Sequence, residues 1–457
     1  MDYAASIWHR PIRYGQQTPP TQLSKLVTAQ RTAMKAILGC FRTTSTPALE
    51  VETGLAPAHL RLQNKILRSF TRMQTLPENH PTNACVERAI KSKSRTFITN
   101  LEYLAQIFPD YTKPLERIHP FIRAPWWTPH HSIMISSNKK VAKKYHDETI
   151  HNPQTIRIYT DGSGIKGQVD AAAYCPELSK TVKQYLGPET EFNVYAAELL
   201  AINMAVNIIK RSCGPNTPYT ECVIYADSQP AITATTKPHK QSGQSIIRET
   251  LDNVESLQNI KISLVWIPGH MDITGNEKAD EAAKDAATNT TATNTSNATA
   301  SRDHQHHYKP LKSARNRIIK DASKREWEKA WKNSTKCSKQ LRRITKNQPL
   351  STSTKLYNAI TKRVQIPQLA RLRTGHCLLN QYLHRFHIEE SPLCECGDGV
   401  IENVEHYLLI CSRYDRERAK LMHKVGFGGM WTEKLLGDPD FIQHTLEYVK
   451  NTKRMRF

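Results

Sequence analysis

Residues 155–164 read Thr155-Ile156-Arg157-Ile158-Tyr159-Thr160-Asp161-Gly162-Ser163-Gly164. Ile156 and Ile158 fall on one side of an alternation whose other side is Arg157 and Tyr159, the period-two pattern of a β-strand. Asp161-Gly162-Ser163-Gly164 then reads as a turn, so the strand is predicted to end on an acid. Downstream, Asn193 to Lys210 sets Tyr195, Leu199, Ile202, Val206 and Ile209 on one stripe at helical spacing and carries Glu198. Further strands are predicted at Glu221 to Tyr225, followed by Asp227, and at Lys261 to Ile267. Strands alternating with helices make this an α/β domain.

Asp161 and Asp227 are thereby expected at two strand ends, and strand ends of an α/β sheet converge on one edge. Asp280 lies just inside a helix beginning near Asn276, where unpaired backbone N–H groups favour a carboxylate; a simple pairing with Lys284 one turn on accounts for it equally well. Each acid alone reads as an ordinary surface carboxylate. As a set, Asp161, Glu198, Asp227 and Asp280 would repel strongly unless divalent cations sat among them. Such oxygen ligands suit Mg²⁺, or Mn²⁺ in its place, and two ions about 4 Å apart can activate a water and stabilise the leaving oxygen of a phosphodiester. Tyr225-Ala226-Asp227-Ser228 looks like the Tyr-x-Asp-Asp signature of polymerases, but Ser228 stands where the second acid belongs.

Four blocks in order resemble the ribonuclease H family: Tyr159-Thr160-Asp161-Gly162-Ser163, Ala197-Glu198-Leu199-Leu200-Ala201, Tyr225-Ala226-Asp227-Ser228-Gln229, and Trp266-Ile267-Pro268-Gly269-His270 with Gly275-Asn276-Glu277-Lys278-Ala279-Asp280. The resemblance runs from Ile158 to Ala287. It implies a five-stranded mixed sheet with helices on both faces, a two-metal site on Asp161, Glu198, Asp227 and Asp280, and cleavage of the RNA strand of RNA–DNA hybrids. It also implies that His270 assists proton transfer or product release. Gly162, Ser163, Asn193 and Ser228 match positions near the nucleic-acid backbone in that family, where contacts to 2′-hydroxyls select RNA over DNA. DNA integrases share the chemistry, but their acids run Asp, Asp, Glu; here Glu198 lies between the two strand-end aspartates.

The flanks differ in character. The chain of 457 residues has 64 Lys+Arg against 42 Asp+Glu, a net charge of +22. Between Thr155 and Ala287 the balance is 12 basic to 16 acidic, which leaves 52 basic against 26 acidic outside. A mildly acidic module between basic arms points to a polyanionic partner, template RNA or target DNA, with solvated helical faces as the plainer account. The linear reading gives a mainly helical region at 1–150, the α/β domain at 151–287, an Ala/Thr/Asn/Ser linker at 288–310, and a basic helical region with a Cys/His end at 311–457. Met1 to Gln17 lacks the apolar core of a signal peptide and no apolar run could span a bilayer, so an intracellular protein, nuclear or cytoplasmic, is expected, with no membrane partner.

Ten cysteines are spread widely except for one late group. Cys394, Cys396, His406 and Cys411 give C-x-C, nine residues, then H-x4-C, a ligand set suited to tetrahedral Zn²⁺; the competing reading is buried thiols beside a helical histidine, and Cys377 or His423 could replace a ligand. Arg371, Arg373, Arg385 and Arg413 around it are expected to grip nucleic acid. Tyr3-Ala4-Ala5-Ser6-Ile7-Trp8, Gln30-Arg31, Ile37-Leu38-Gly39-Cys40-Phe41-Arg42-Thr43-Thr44 and Pro125-Trp126-Trp127 resemble the region that follows the polymerase core in non-LTR (LINE-type) retrotransposon reverse transcriptases. The whole chain then resembles the C-terminal part of such a polyprotein. It lacks the polymerase palm, so no DNA synthesis is expected of it, and an inert remnant that still binds nucleic acid is the alternative to an active nuclease.

Overall fold

The computed structural model describes residues 4–11, 23–94, 96, 98–214, 217–257, 259–269, 271–292, 308–335, 339–346 and 352–455, with backbone only for 287–292 and 352. Two compact units emerge: one of Ser6–Arg10 with Lys65–Asp321, the other of Met1–Ala5 and Pro11–Asn64 with Ala322–Phe457. This differs from the linear four-part division. Most of the expected linker lies outside the described residues, but the helix Thr274–Ala292 enters it, and at its far end Tyr308 is buried and donates to Glu249 Oε2 at 2.6 Å.

In the first unit, β1 (His131–Met134), β2 (Thr155–Ile165), β3 (Gln168–Cys175), β4 (Lys180–Pro188), β5 (Glu221–Ala226) and β6 (Lys261–Trp266) form one six-stranded sheet in the order β1-β6-β5-β2-β3-β4. The first four in that order run parallel and β2-β3-β4 is an antiparallel meander. β2, β5 and β6 are the three strands read from the sequence, and with β3 and β4 they make up the five that the resemblance implies. β1 is an addition, a parallel edge strand contributed by residues upstream of the predicted domain start.

The expected end of β2 needs correction. Parallel pairing with β5 stops at Thr160↔Ala226, whereas antiparallel pairing with β3 continues to Ile165↔Gln168. Asp161 therefore sits where the parallel sheet ends but inside the strand, and the chain turns only at Lys166 and Gly167, with φ of 51° and 78°. Gly162 and Ser163 remain extended because they keep their ladder partners Ala171 and Asp170 on β3.

Side chains alternate between two faces of this sheet. Ile156, Ile158, Val169, Ala171 and Ala173 pack with the helix Val194–Ser212. On the other face, Tyr159 joins Ile273 and Ala279, and Ala172 meets Ala282 and Ala283 of the helix Thr274–Ala292. Val194–Ser212 is not the one-striped helix expected, since Ala196 to Val206 are buried without a break. The helix Gln244–Glu255 covers its outer side, where Asn253 Nδ2 donates to Asn203 Oδ1 at 3.0 Å.

The second unit has its own core, with Leu356, Leu369, Tyr407, Leu408 and Leu446 at its centre. Ala48 and Val51 of the helix Thr46–Thr53 bury against Trp331 and Leu341, which explains why an N-terminal segment groups with the chain's end. Here Arg373 corrects the sequence reading: it is fully buried, its Nε donates to Glu52 at 2.9 Å, and another nitrogen donates to the Leu436 carbonyl. Tyr357 donates to the same carboxylate at 2.6 Å. Arg373 is thus internal structure and not a surface contact for nucleic acid. Among the described residues, no helix is long and apolar enough to cross a membrane.

Close packing at Gly162 positions the acids. A Cβ there would lie 2.5 Å from the Glu198 backbone nitrogen and 2.8 Å from the Ala197 carbonyl carbon, with no flexible atom to yield. Gly162→Ala is expected to cost about 1–3 kcal/mol by forcing helix and strand apart, read as a lower urea midpoint with an unchanged m-value.

Candidate active site

Three of the four expected acids meet. Asp161 on β2, Glu198 in the first turns of the helix Val194–Ser212 and Asp227 just after β5 each offer a carboxylate oxygen, and these oxygens lie within 4.8 Å of one another. The helix is started by Asn193, whose Oδ1 accepts from the Ala196 N–H at 3.0 Å. Asp227 is held from behind by its own backbone, because Trp266 Nε1 donates to its carbonyl at 2.9 Å. Gly269 leaves room in front: a Cβ at that position would fall 2.8 Å from Asp227 Oδ2.

Burial and mutual repulsion set the electrostatics. Asp161 is pushed up to about 7, first by burial, then by the charges of Asp227 and Asp280, against a lowering effect of Lys284. Glu198 is raised well above the ordinary carboxylate range, again by burial first and then by Asp161 and Asp227. Its Oε2 is buried and accepts no hydrogen bond. Hard oxygen donors crowded together, one of them lacking any proton donor, are what an Mg²⁺-type ion would satisfy.

Asp280 stands apart from that trio. It lies close enough to raise Asp161, yet its Oδ2 accepts from Lys284 Nζ at 2.6 Å, one turn along its own helix. Both readings offered by the sequence are thus present, the acid near the site and the pairing with Lys284. His270 lies outside the described residues. Gly162 and Ser163 are buried on β2, and Ser228, half-buried, precedes the helix Gln229–Thr236. The Asn193 amide is engaged at both ends, its Nδ2 donating to Ser313 Oγ at 3.1 Å. Sequence reasoning gave Gly269 no role; the Pro268-Gly269 pair was its only visible signal.

A second cluster lies in the other unit. Cys394, Cys396, His406 and Cys411 offer ligand atoms all within 4.8 Å. The Cys394 and Cys411 sulfurs are 3.6 Å apart and the Cys396 sulfur is 3.5 Å from His406 Nε2. Those separations are near the ~3.8 Å edge of a tetrahedron with ~2.3 Å Zn–S bonds and far too long for a disulfide. Burial, ahead of local hydrogen bonds, pushes the metal-free Cys394 thiol up to about 12. Neither Cys377 nor His423 belongs to the group.

Comparison with known proteins bears on the first site. Residues 153–288 match the family model described as RNase H, so this segment carries an RNase H domain. The Pol polyproteins of equine infectious anemia virus isolates 1369 and CL22 are each 33% identical to this chain over 130 residues, which is 28% of this chain. The match covers a tenth of the length of those relatives, 10% of each. β1 precedes the matched segment.

The raised acids give a pH signature without metal. Asp161 has an ordinary carboxylate value near 3.8 when unfolded and one of about 7 when folded, so between these pH values the folded state holds a proton the unfolded state has lost. Stability present below about pH 4 is therefore lost as pH rises through about 7. In chelator, Asp161→Asn should melt several degrees above the unsubstituted protein at about pH 8, with the two converging towards about pH 4; thermal melts at a series of pH values check this, and Mg²⁺ should reverse the order at high pH.

Proposed function

We propose that this chain, through the RNase H domain at residues 153–288, hydrolyses the RNA strand of RNA–DNA hybrids within a retroelement-derived protein of the non-LTR type. The observation that carries the reading is the convergence of Asp161, Glu198 and Asp227 oxygens within 4.8 Å, with a buried Glu198 oxygen left without a hydrogen bond. Those three residues would hold the divalent ions, with Asp280 joining them once it leaves Lys284. Bound there, such ions supply an activated water and charge stabilisation for the leaving oxygen.

The chain's own residues do the positioning. Gly162 lets the Glu198 helix approach β2, and Gly269 lets the loop after β6 approach Asp227. Gly162, Ser163 and Ser228 border the site where a hybrid's backbone would run, and His270 is assigned proton transfer or product release. Asn193 supports the site from beneath as the cap of the Glu198 helix. Placement of Glu198 between the two aspartates in sequence favours a ribonuclease over an integrase. Binding to the polyanion draws on the basic surplus outside the domain, and the Cys394, Cys396, His406 and Cys411 cluster binds one structural Zn²⁺.

With end-labelled hybrid, duplex RNA and duplex DNA in Mg²⁺, the full chain should cut only the RNA of the hybrid. Asp161→Asn and Asp227→Asn should each lower kcat by at least about a hundredfold, in line with the loss of a metal position; residual cleavage equal to that of the unsubstituted chain would assign the activity to a contaminant. The purified chain should contain one zinc per molecule by atomic absorption, and Cys411→Ser should lose it without altering hybrid cleavage chemistry in the other unit.

A further inference from the structure

The helix Lys139–Thr149 precedes the matched RNase H segment, and the sequence presents it as a run of lysines. Its residues are not equivalent. Lys144 is exposed and pairs with Glu148 at 3.7 Å. Lys143 is half-buried, and its Nζ donates to the Met271 carbonyl at 2.7 Å and the Asp272 carbonyl at 3.3 Å. Those two carbonyls belong to the loop between β6 and the helix Thr274–Ala292, the loop whose Gly269 abuts the Asp227 carboxylate. Asp272 has a φ of 54°, a conformation non-glycine residues seldom take without external restraint.

Three residues on, and so on the same helical face, His146 Nε2 makes a 2.8 Å hydrogen bond with the hydroxyl of Tyr159, two positions before Asp161. Thr149 Oγ1 reaches the Tyr225 hydroxyl at 3.4 Å, two positions before Asp227. Tyr145 packs on the cluster of Tyr159, Tyr225, Val265, Ile267, Ile273 and Ala279. One helical face therefore touches the segments bearing two of the three clustered acids and the loop in front of Asp227.

We propose that Lys143 is a positioning residue for this active site: its ammonium fixes the backbone of Met271 and Asp272, and with it the loop that lies against Asp227. The inference rests on the hybrid-hydrolysis reading for its kinetic part only. A lysine contacting phosphate would act on substrate affinity; a lysine spending its donors on two carbonyls acts on the geometry of the bound complex. Arginine can make the same carbonyl contacts, and methionine keeps the aliphatic stem while removing them.

The test compares the full chain with Lys143→Met and Lys143→Arg. With Mg²⁺ and labelled hybrid, Lys143→Met should lose about tenfold in kcat, as expected of a misplaced loop. KM for hybrid and the Mg²⁺ concentration for half-maximal activity should stay unchanged, and Lys143→Arg should recover most of the rate. Hydrogen exchange should speed up at the amides of residues 271–277 in Lys143→Met and stay as before in β2 and β5. Unaltered kcat overturns the proposal, as does a rise in KM at constant kcat, the mark of a phosphate contact. Exchange that quickens throughout the unit with no rescue by arginine also overturns it, since that describes general destabilisation. If the unsubstituted chain cuts no hybrid, the functional reading fails; the exchange experiment still decides the brace, local quickening supporting it and its absence refuting it.

Discussion

Everything around the acidic site answers one electrostatic constraint: the buried carboxylates of Asp161 and Glu198 and the half-buried one of Asp227 lie within reach of one another, where like charges in a poorly solvated place are costly. Burial, and after it the neighbouring acids, raise both Asp161 and Glu198 above the ordinary carboxylate range. The surrounding packing exists to keep the acids close in spite of that cost. Gly162 removes the Cβ that would hold the Glu198 helix off β2, and on the helix it faces the small Ala197 at the same place. A site so built is poised for a divalent ion, because the ion relieves the repulsion that the packing imposes.

Much of this was legible in the sequence, for reasons that particular residues make plain. The alternation Ile156, Arg157, Ile158, Tyr159 is local information, and so are the positions of Glu198 in a helix and Asp227 after a strand. What was not legible depends on partners remote in the chain. Whether β2 stops at Asp161 or runs on to Ile165 is decided by β3, whose Ala171 and Asp170 continue the ladder. Whether Val194–Ser212 buries one stripe or its whole circumference is decided by a second helix on its far side. The pairing of Asp280 with Lys284 could be read from their spacing, but its distance from the trio could not.

Charge counts illustrate the same limit. A surplus of lysine and arginine outside residues 155–287 argues for a polyanionic partner, yet individual cations divide between surface and interior. Arg373 neutralises Glu52 in the core of its unit, Arg371 donates to the Gly39 carbonyl while stacking 4.1 Å from the Phe41 ring centre, and Arg413 pairs with Glu395. Breaking such a buried pair leaves an uncompensated charge, whereas losing an exposed lysine changes little beyond salt-dependent attraction. The net charge therefore overstates the surface available to nucleic acid.

The boundary of the α/β domain is where sequence kinship and physical contact part company. The RNase H match begins at residue 153, but the sheet begins at His131, whose Nε2 lies 2.8 Å from Thr235 Oγ1, and β1 extends the parallel ladder beyond β6. The helix Lys139–Thr149 then packs on the face carrying Tyr159 and Tyr225. An edge strand and a helix that cover an otherwise open side of a sheet protect both its backbone hydrogen bonds and its apolar face. Residues 131–149 thus complete by pairing and packing a sheet of which the matched segment alone forms only a part.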